Sequence, residues 1–462
     1  MVYSLPPNLL IRWSTQSDTD AIASCVADGF RGAVTDPPST SSASAVRRLM
    51  RGDNPFMRPT DFCVVEDVTT GEIVACTCLF SQEMEYGHLS LRIGRPDHVT
   101  TRWAHRERGL SKVVLETVHE RSRERGDLLT LSKCYLTHLL TIHGVSNAIR
   151  FGYEYALDFG ASKRTMIAAI ASDVEADEED GPFSLREAML EDVTEIERIF
   201  GTHRAVSESP IWLRPPPGYF AYQIDGWMRP GADLAVDHMR TVLMIDDTLG
   251  ASHGFVVISA KRSGASINVL QLAWDPQTVD LPSFSSWLLR ALACFGRAMP
   301  SSSELTSIGW WFSGYHPIYQ ALSTWQIHTE DHPFSFLVRA NDPAAFLHAI
   351  RSTLDARLLS SPVFRHHTGC LRIGFFVRRG VQIMLSRGRV ENVEQWIPGS
   401  PGSSPSPDAA FPYETFWQVV FGRRTVAELR SVLPDVECNE EEIEKLLGVL
   451  FPRKDGYFAH FV

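Results

Sequence analysis

The chain has no C-x-x-C pair and no Cys/His set at zinc-ligand spacing. Its eight cysteines (25, 63, 76, 78, 134, 294, 370 and 438) therefore suggest neither a metal site nor a redox dithiol, and no metal is expected. Cys76 and Cys78, two apart in a strand-like run, share one face and read as small buried apolar residues. Apolar runs of about 18 residues are also missing, which excludes an ordinary membrane-spanning helix. The opening Met1-Val2-Tyr3-Ser4-Leu5-Pro6-Pro7 has neither the basic start nor the apolar stretch of a signal peptide. A soluble, cytoplasmic protein with no membrane partner is the expectation. Basic charge is in deficit as well: Lys and Arg number 44 against 55 Asp and Glu, for a net charge of −11. Nucleic-acid binders hold phosphates with clustered cations, so no nucleic-acid partner is expected. The balance leans slightly toward cationic substrates.

What is present is an ordinary globular composition, 462 residues that are 44% hydrophobic and 21% charged, with room for about three domains. Residues 173–180 carry six acidic side chains and end at Gly181-Pro182, just before an amphipathic unit over 185–200, and they read as a linker. Residues 398–407 are wholly Pro, Gly and Ser, cannot pack a core, and read as a mobile insertion in the last domain. A further boundary is inferred near 330–342, where 335–338 reads as a strand and Asp342-Pro343 as the N-cap and first turn of a helix. The expected domains are 1–172, 183–334 and 335–462.

The N-terminal region reads as a mixed α/β unit. Strands are expected at 9–13, 62–66 and 72–80, the last two joined by a hairpin turn at Thr69-Thr70-Gly71. A helix follows Ser17-Asp18-Thr19-Asp20, with Ile22, Cys25, Val26 and Phe30 as its apolar side. Next comes the strand-like Val99-Thr100-Thr101, then Arg106-Glu107-Arg108-Gly109-Leu110-Ser111-Lys112, then Val113, Val114, Thr117 and Val118 at helical spacing. A basic, glycine-containing turn thus opens a helix. Backbone N–H groups at a helix start have no intrahelical acceptor, and Gly109 lets an anion approach them without a Cβ in the way. Arg106, Arg108 and Lys112 would add charge-assisted contacts. This is the chemistry a pyrophosphate demands. The same residues also read as a solvated basic turn beginning a surface helix.

The form R-x-x-G-x-small resembles the acyl-CoA loop of the GNAT N-acetyltransferase superfamily, and the element order β-α-β-β-β-α is similar to that of a GNAT fold. Residues 94–110 (G-R-P-D-H-V-T-T-R-W-A-H-R-E-R-G-L) and 151–157 (F-G-Y-E-Y-A-L) resemble the multidomain enhanced-intracellular-survival acetyltransferases. So do F-G-R-R-T-V-A-E-L at 421–429, Pro434-Asp435 and Leu450-Phe451-Pro452, so the resemblance spans essentially the whole chain. It implies an α/β (α+β) architecture of two GNAT-like domains followed by a sterol-carrier-like domain, whose curved sheet would include 371–377 and 381–386. It implies acetyl-CoA as co-substrate, with Val99, Thr100 and Thr101 along the pantetheine arm. Arg106, Glu107, Arg108, Gly109, Leu110, Ser111 and Lys112 would lie around the pyrophosphate. The acetyl group would pass by direct attack to an amine of a small molecule or peptide, and homo-oligomerisation is left open. The general base it implies is the α-carboxylate of Val462, carried on the aromatic run 457–462.

Two departures qualify that pattern. In the second domain the corresponding loop, Asp275-Pro276-Gln277-Thr278-Val279-Asp280-Leu281-Pro282, has two acids, two prolines and no Arg, Lys or Gly. It repels phosphate and removes N–H donors, so this domain reads as structural, with Trp310-Trp311-Phe312 and 315–319 chiefly core. In the first domain the family's general-acid Tyr falls on Ala148. Tyr135 is too distant, leaving Tyr153 as a substitute acid, with Tyr155 on the same face, or His143, or water. A leaving thiol with a pKa near ~8.5 can depart without a dedicated acid. A non-catalytic acyl-CoA-binding or scaffold protein is the alternative. On the acceptor side the expected residues are Phe30, Glu83, Glu85 and Tyr86, the two glutamates sharing a strand face suited to a cationic amine.

Overall fold

The computed structural model describes residues 5–133, 151–160, 162–170, 181–206, 211–226, 240–322, 326–329, 334–376, 379–398, 406–412, 415–438 and 440–454. Tyr135, His143, Ala148, the acidic run 173–180, residues 399–405 and Val462 lie outside them. The chain opens with β1 (Leu9–Trp13), α1 (Thr19–Gly29), α2 (Thr40–Leu49), β2 (Phe62–Asp67), β3 (Glu72–Tyr86), β4 (Leu89–Thr101), α3 (Leu110–Glu124) and β5 (Leu129–Lys133). It continues through β6 (Glu154–Gly160), β7 (Lys163–Met166), β8 (Phe183–Glu187), α4 (Val193–Ala205), β9 (Ile211–Arg214) and α5 (Tyr219–Asp225). Then follow β10 (Arg240–Asp247), β11 (Ser252–Ser259), β12 (Ser266–Trp274), α6 (Leu281–Ala298), β13 (Ser307–Trp310), β14 (His328–Thr329) and β15 (Phe334–Ala340). Strands β16 (Gly369–Phe375), β17 (Arg379–Ser386), β18 (Arg389–Trp396), β19 (Ala409–Phe411) and β20 (Glu437–Cys438) form a last, five-stranded sheet. The architecture is mixed α/β, as expected.

The first sheet runs β1-β2-β3-β4-β5-β15-β6, with β9 added alongside β3. Strand β2 shows why it forms. Phe62 and Val64 face α1 and α2 in one apolar cluster, while Cys63 and Val65 face Leu110, Val114 and Val118 of α3 in another. A strand covered on both faces reads as a continuous apolar run rather than an alternation. Helix α2 was not legible. Its Thr40-Ser41-Ser42-Ala43-Ser44 start looks like a loop, yet Ser39 caps it by accepting from the Ser42 N–H at 3.3 Å, and Ala43, Val46 and Leu49 are buried. The amphipathic unit over 185–200 divides into β8, whose Leu185 pairs with Ile245 of β10, and α4.

The sheets exchange strands across the expected segment boundaries. Strand β7 inserts into the second sheet (β14-β7-β13-β12-β11-β10-β8), and β15 lies between β5 and β6 of the first. Strand β9 pairs with the β3 end, Glu83↔Arg214 through Tyr86↔Ile211. The Tyr86 hydroxyl, fully buried, donates to the Val420 carbonyl at 2.7 Å in the last part of the chain. Each exchanged strand needs its partner sheet to satisfy its backbone groups, so the first two sheets depend on segments that cross the expected boundaries.

Three buried histidines, His119, His203 and His316, and the half-buried His98 give the fold an acid sensitivity. Burial lowers the pKa of His119 to about 3 and that of His203 to about 4, and lowers His98 and His316 as well. The folded values lie below the ordinary histidine value, so below about pH 6.5 the unfolded chain takes up protons that the folded chain refuses. Stability is present above that pH and lost as the pH falls toward the folded values, each histidine contributing up to about 1.4 kcal/mol per pH unit. We therefore expect the Tm to drop steadily from pH 7 to pH 5. A Tm flat over that interval would contradict the buried, neutral state of these rings.

Candidate acyl-transfer site

Strands β4 and β5 run parallel but pair only at Ile93↔Leu129 and Gly94↔Thr130. Beyond Gly94 they part, and β4 continues to Thr101, leaving an edge open inside the sheet. Gly94 permits the crossing. A Cβ there would collide with Ser122 Oγ of α3 and come within 2.9 Å of the buried Asp127 carboxylate, which accepts from Ser122 at 2.7 Å. Past the parting point β4 carries a bulge. Cys78 faces Asp97 and Cys76 faces Thr100, so His98 and Val99 together oppose the single residue Thr77. His98 takes φ +51°, and its backbone N–H donates to Asp97 Oδ1 at 2.7 Å.

The chain then turns into α3 through a backbone concavity, with Glu107 at φ +64° and Gly109 at φ +74°. No described residue accepts from the backbone N–H groups of Glu107, Arg108, Gly109, Leu110 or Ser111. Five successive donors at the start of a 15-residue helix form an anion nest, reinforced by the positive end of the helix dipole. The basic side chains divide differently from the sequence expectation. Arg106 turns inward, donating to the Gly29 carbonyl at 2.8 Å and lying 3.7 Å over the Trp103 ring, so it holds the turn against α1. Arg108 remains exposed beside the nest, and Lys112 lies 3.6 Å from Glu116. The residues present fit a pyrophosphate, with backbone donors as the main ligands.

The second sheet supplies an internal control. There β12 and β13 also run parallel and pair over Ser266–Val269, while β12 continues to Trp274. This gap is filled from within: His316, almost fully buried, contacts the Leu272 carbonyl at 3.2 Å and packs 4.3 Å from Phe312. Helix α6 is capped by Asp280, which accepts from Ser283 N–H, and Asp275 accepts from Gln277 N–H. Carboxylates occupy the donors that a phosphate would need. Trp310 and Phe312 are core residues as expected, while Trp311 is exposed.

The expected acceptor residues do not converge. Phe30 stacks on His98 with ring centroids 6.1 Å apart. Glu83 and Glu85 instead serve the β3–β9 junction: Arg204 meets Glu85 at 2.8 Å, Arg214 meets Glu83 at 3.3 Å, and Ser90 donates to Glu83 at 2.8 Å. Their charge is taken up by arginines, and Tyr86 is committed to Val420. Tyr153 is buried, with its hydroxyl 2.8 Å from His119 Nε2, and burial pushes its phenol up to about 12. Tyr155 packs alongside it and Leu337.

Glu83 lines a cavity of about 720 Å³ with Arg92, Glu197, Phe200 and Arg214. A smaller cavity of about 140 Å³ lies beside the bulge, lined by Asp97 and His98 together with side chains of α2, α5 and β10. His98 Nδ1 is 3.3 Å from Asp97 Oδ1 and 3.8 Å from Cys78 Sγ. Burial lowers the His98 pKa while Asp97 opposes the shift, so the imidazole is neutral and able to take a proton. Sequence reasoning passed over this pair. Asp97-His98 stood inside a quoted motif, but only the bulge turns both residues toward one cavity.

Residues 10–156 match the family described as Acetyltransferase (GNAT) domain. A comparison with curated proteins found no match. Over almost the whole chain the fold is similar to solved GCN5-related N-acetyltransferases. One, from Kribbella flavida, is 15% identical with TM-score 0.61, aligned over 98% of both chains. Another, from Anabaena variabilis, is 10% identical with TM-score 0.66 over 98% of this chain and 100% of that one. Eis1 from Mycobacterium abscessus is 13% identical with TM-score 0.59 over 98% and 99%.

Proposed function

We propose that this protein is an acetyl-CoA-dependent N-acetyltransferase with a single working cofactor site, in the first sheet. The observation that carries the reading is the set of five unpartnered N–H groups at the start of α3, next to the parting of β4 and β5. The nest suits the pyrophosphate, and the open β4 edge suits the pantetheine amide groups. In the reaction the acceptor nitrogen attacks the thioester carbonyl carbon, the C–S bond breaks, and the thiolate takes up a proton. We assign proton removal from the amine to His98, neutral at the bulge and oriented by Asp97. The bulge of β4 at His98 and Val99 is where backbone donors would polarise the carbonyl. The Tyr153 hydroxyl, engaged with His119, does not line the cavity, so water is assigned the thiolate's protonation. Domain limits at 172 and 334, and a sterol-carrier-like role for the last sheet, belong to the same proposal.

The test is calorimetric titration with acetyl-CoA, followed by amine-dependent thiol release. Micromolar binding with thiol release supports the enzyme. Binding without release from any amine favours the acyl-CoA-binding protein, and no binding overturns both.

A further inference from the structure

We propose that Arg106 is a positioning residue of the transfer step: it fixes the end of α1, and through Phe30 the ring of His98, instead of binding the pyrophosphate. The inference rests on the acyl-transfer reading for the role of His98, while the contacts that carry it stand by themselves. The last carbonyls of a helix have no intrahelical partner, and a cation beside them is favoured by the helix dipole. Helix α1 has no basic residue in its own last turn. Arg106 supplies the cation from outside, its Nη2 donating to the Gly29 carbonyl at 2.8 Å while its guanidinium lies 3.7 Å over the Trp103 ring. The Trp103 backbone N–H adds a second tie, donating to Asp28 Oδ2 at 2.9 Å. A guanidinium engaged on a carbonyl and an indole face is committed to the protein rather than to a ligand.

The residue after Gly29 reaches His98. Phe30 stacks on the imidazole, with ring centroids 6.1 Å apart and planes 27° from parallel, and Phe62 meets the same ring edge-on at 6.3 Å. His98 itself sits at φ +51° in the bulge, a backbone state that surrounding contacts must hold. Helix α1 ends directly on that strand, since a Cβ at Gly29 would collide with Thr100 Oγ1 and come within 3.2 Å of the Thr101 carbonyl. The imidazole thus packs against one ring fixed in the core, Phe62, and one at a helix end, Phe30, whose place depends on the carbonyl that Arg106 holds. Arg106 immediately precedes the first of the five N–H donors of the nest. One side chain therefore joins the turn that suits the pyrophosphate to the helix end that sets the base. A displacement of a reacting group by about 1 Å is enough to cost about 100-fold in rate.

Calorimetric titration with acetyl-CoA and amine-dependent thiol release, with benzylamine, spermidine and β-alanine as acceptors, are compared in the full-length native protein, Arg106→Ala, Arg106→Lys, Phe30→Ala and the double variant Arg106→Ala/Phe30→Ala. The His98 ring signal is followed by NMR in histidine-labelled protein and assigned by its absence in His98→Ala. We expect Arg106→Ala to lower kcat about 10- to 100-fold, with the acetyl-CoA Kd within about threefold of native, and to move the His98 signal. Arg106→Lys, which still donates to Gly29 but lacks the flat face, should recover part of kcat. The double variant should lose little more than Phe30→Ala alone, because both residues act through one ring. If Arg106→Ala does not fold, Arg106→Lys and Phe30→Ala are judged by the same readouts. Acetyl-CoA bound more than about tenfold weaker by Arg106→Ala, with kcat unchanged, makes Arg106 a phosphate ligand and overturns the inference. An unmoved His98 signal overturns it as well. A displaced His98 signal in a protein that acetylates none of the amines upholds the positioning contact and counts only against the transferase.

Discussion

Gly109→Trp is expected to abolish acetyl-CoA binding, by more than about 100-fold in Kd, in a protein that stays folded. Gly109 sits at φ +74° as the residue before α3, among the N–H groups that no described residue engages. Any L-residue there carries backbone strain of about 1–3 kcal/mol, below the total stability of about 5–15 kcal/mol expected of a domain. The loss of binding has a different origin. The indole covers donors that would each contribute about 1.5–3 kcal/mol to a charged pyrophosphate, and two blocked donors already exceed a hundredfold. Gly109→Asn separates strain from occlusion, because Asn tolerates the left-handed conformation and leaves the nest more accessible. Calorimetry decides: a Kd for Gly109→Trp within threefold of the native value would mean that the turn is merely basic and exposed.

His98→Ala is expected to lower kcat about 10²- to 10⁴-fold, the range for removal of a general base, while acetyl-CoA still binds. The pH profile gives the sign. A base works unprotonated, and burial holds the His98 pKa below the ordinary histidine value, so kcat/KM is flat through neutrality. It falls only as the pH drops through that lowered value. Asp97 raises the His98 pKa, so Asp97→Asn moves the acid limb further down. Residues appended after Val462 leave turnover unchanged under this assignment. If the appended protein is silent and His98→Ala is active, the base is the carboxylate of Val462 and not the imidazole.

Most of the first sheet was legible because its signals are local. A strand covered on both faces writes a continuous apolar run at Phe62–Val65, and a helix start without acceptors writes a glycine among basic residues at 106–112. The acidic, proline-containing loop of the second sheet was equally readable, and Asp280 and Asp275 engage backbone donors there as its composition suggested. Helix α2 escaped because its serines contribute to capping and its apolar face is short. The arginine partners of Glu83 and Glu85 were not legible, because a strand face says nothing about which strand will lie beside it. Here β9 brought Arg214, and α4 brought Arg204.

The sequence by itself determined the basic, glycine-containing turn at 106–112, the acidic loop at 275–282 and the mixed α/β class, since each depends on residues within one turn or one strand. Only the tertiary structure decided the cavity beside the β4 bulge. Arg48, Arg95 and Arg240 are separated by up to 192 positions (48 to 240) and meet only because α2, β4 and β10 close on one another. A cavity lined by residues of several different elements has no periodicity or spacing by which a chain could announce it. Packing alone brings those guanidiniums, Asp97 and His98 to one place.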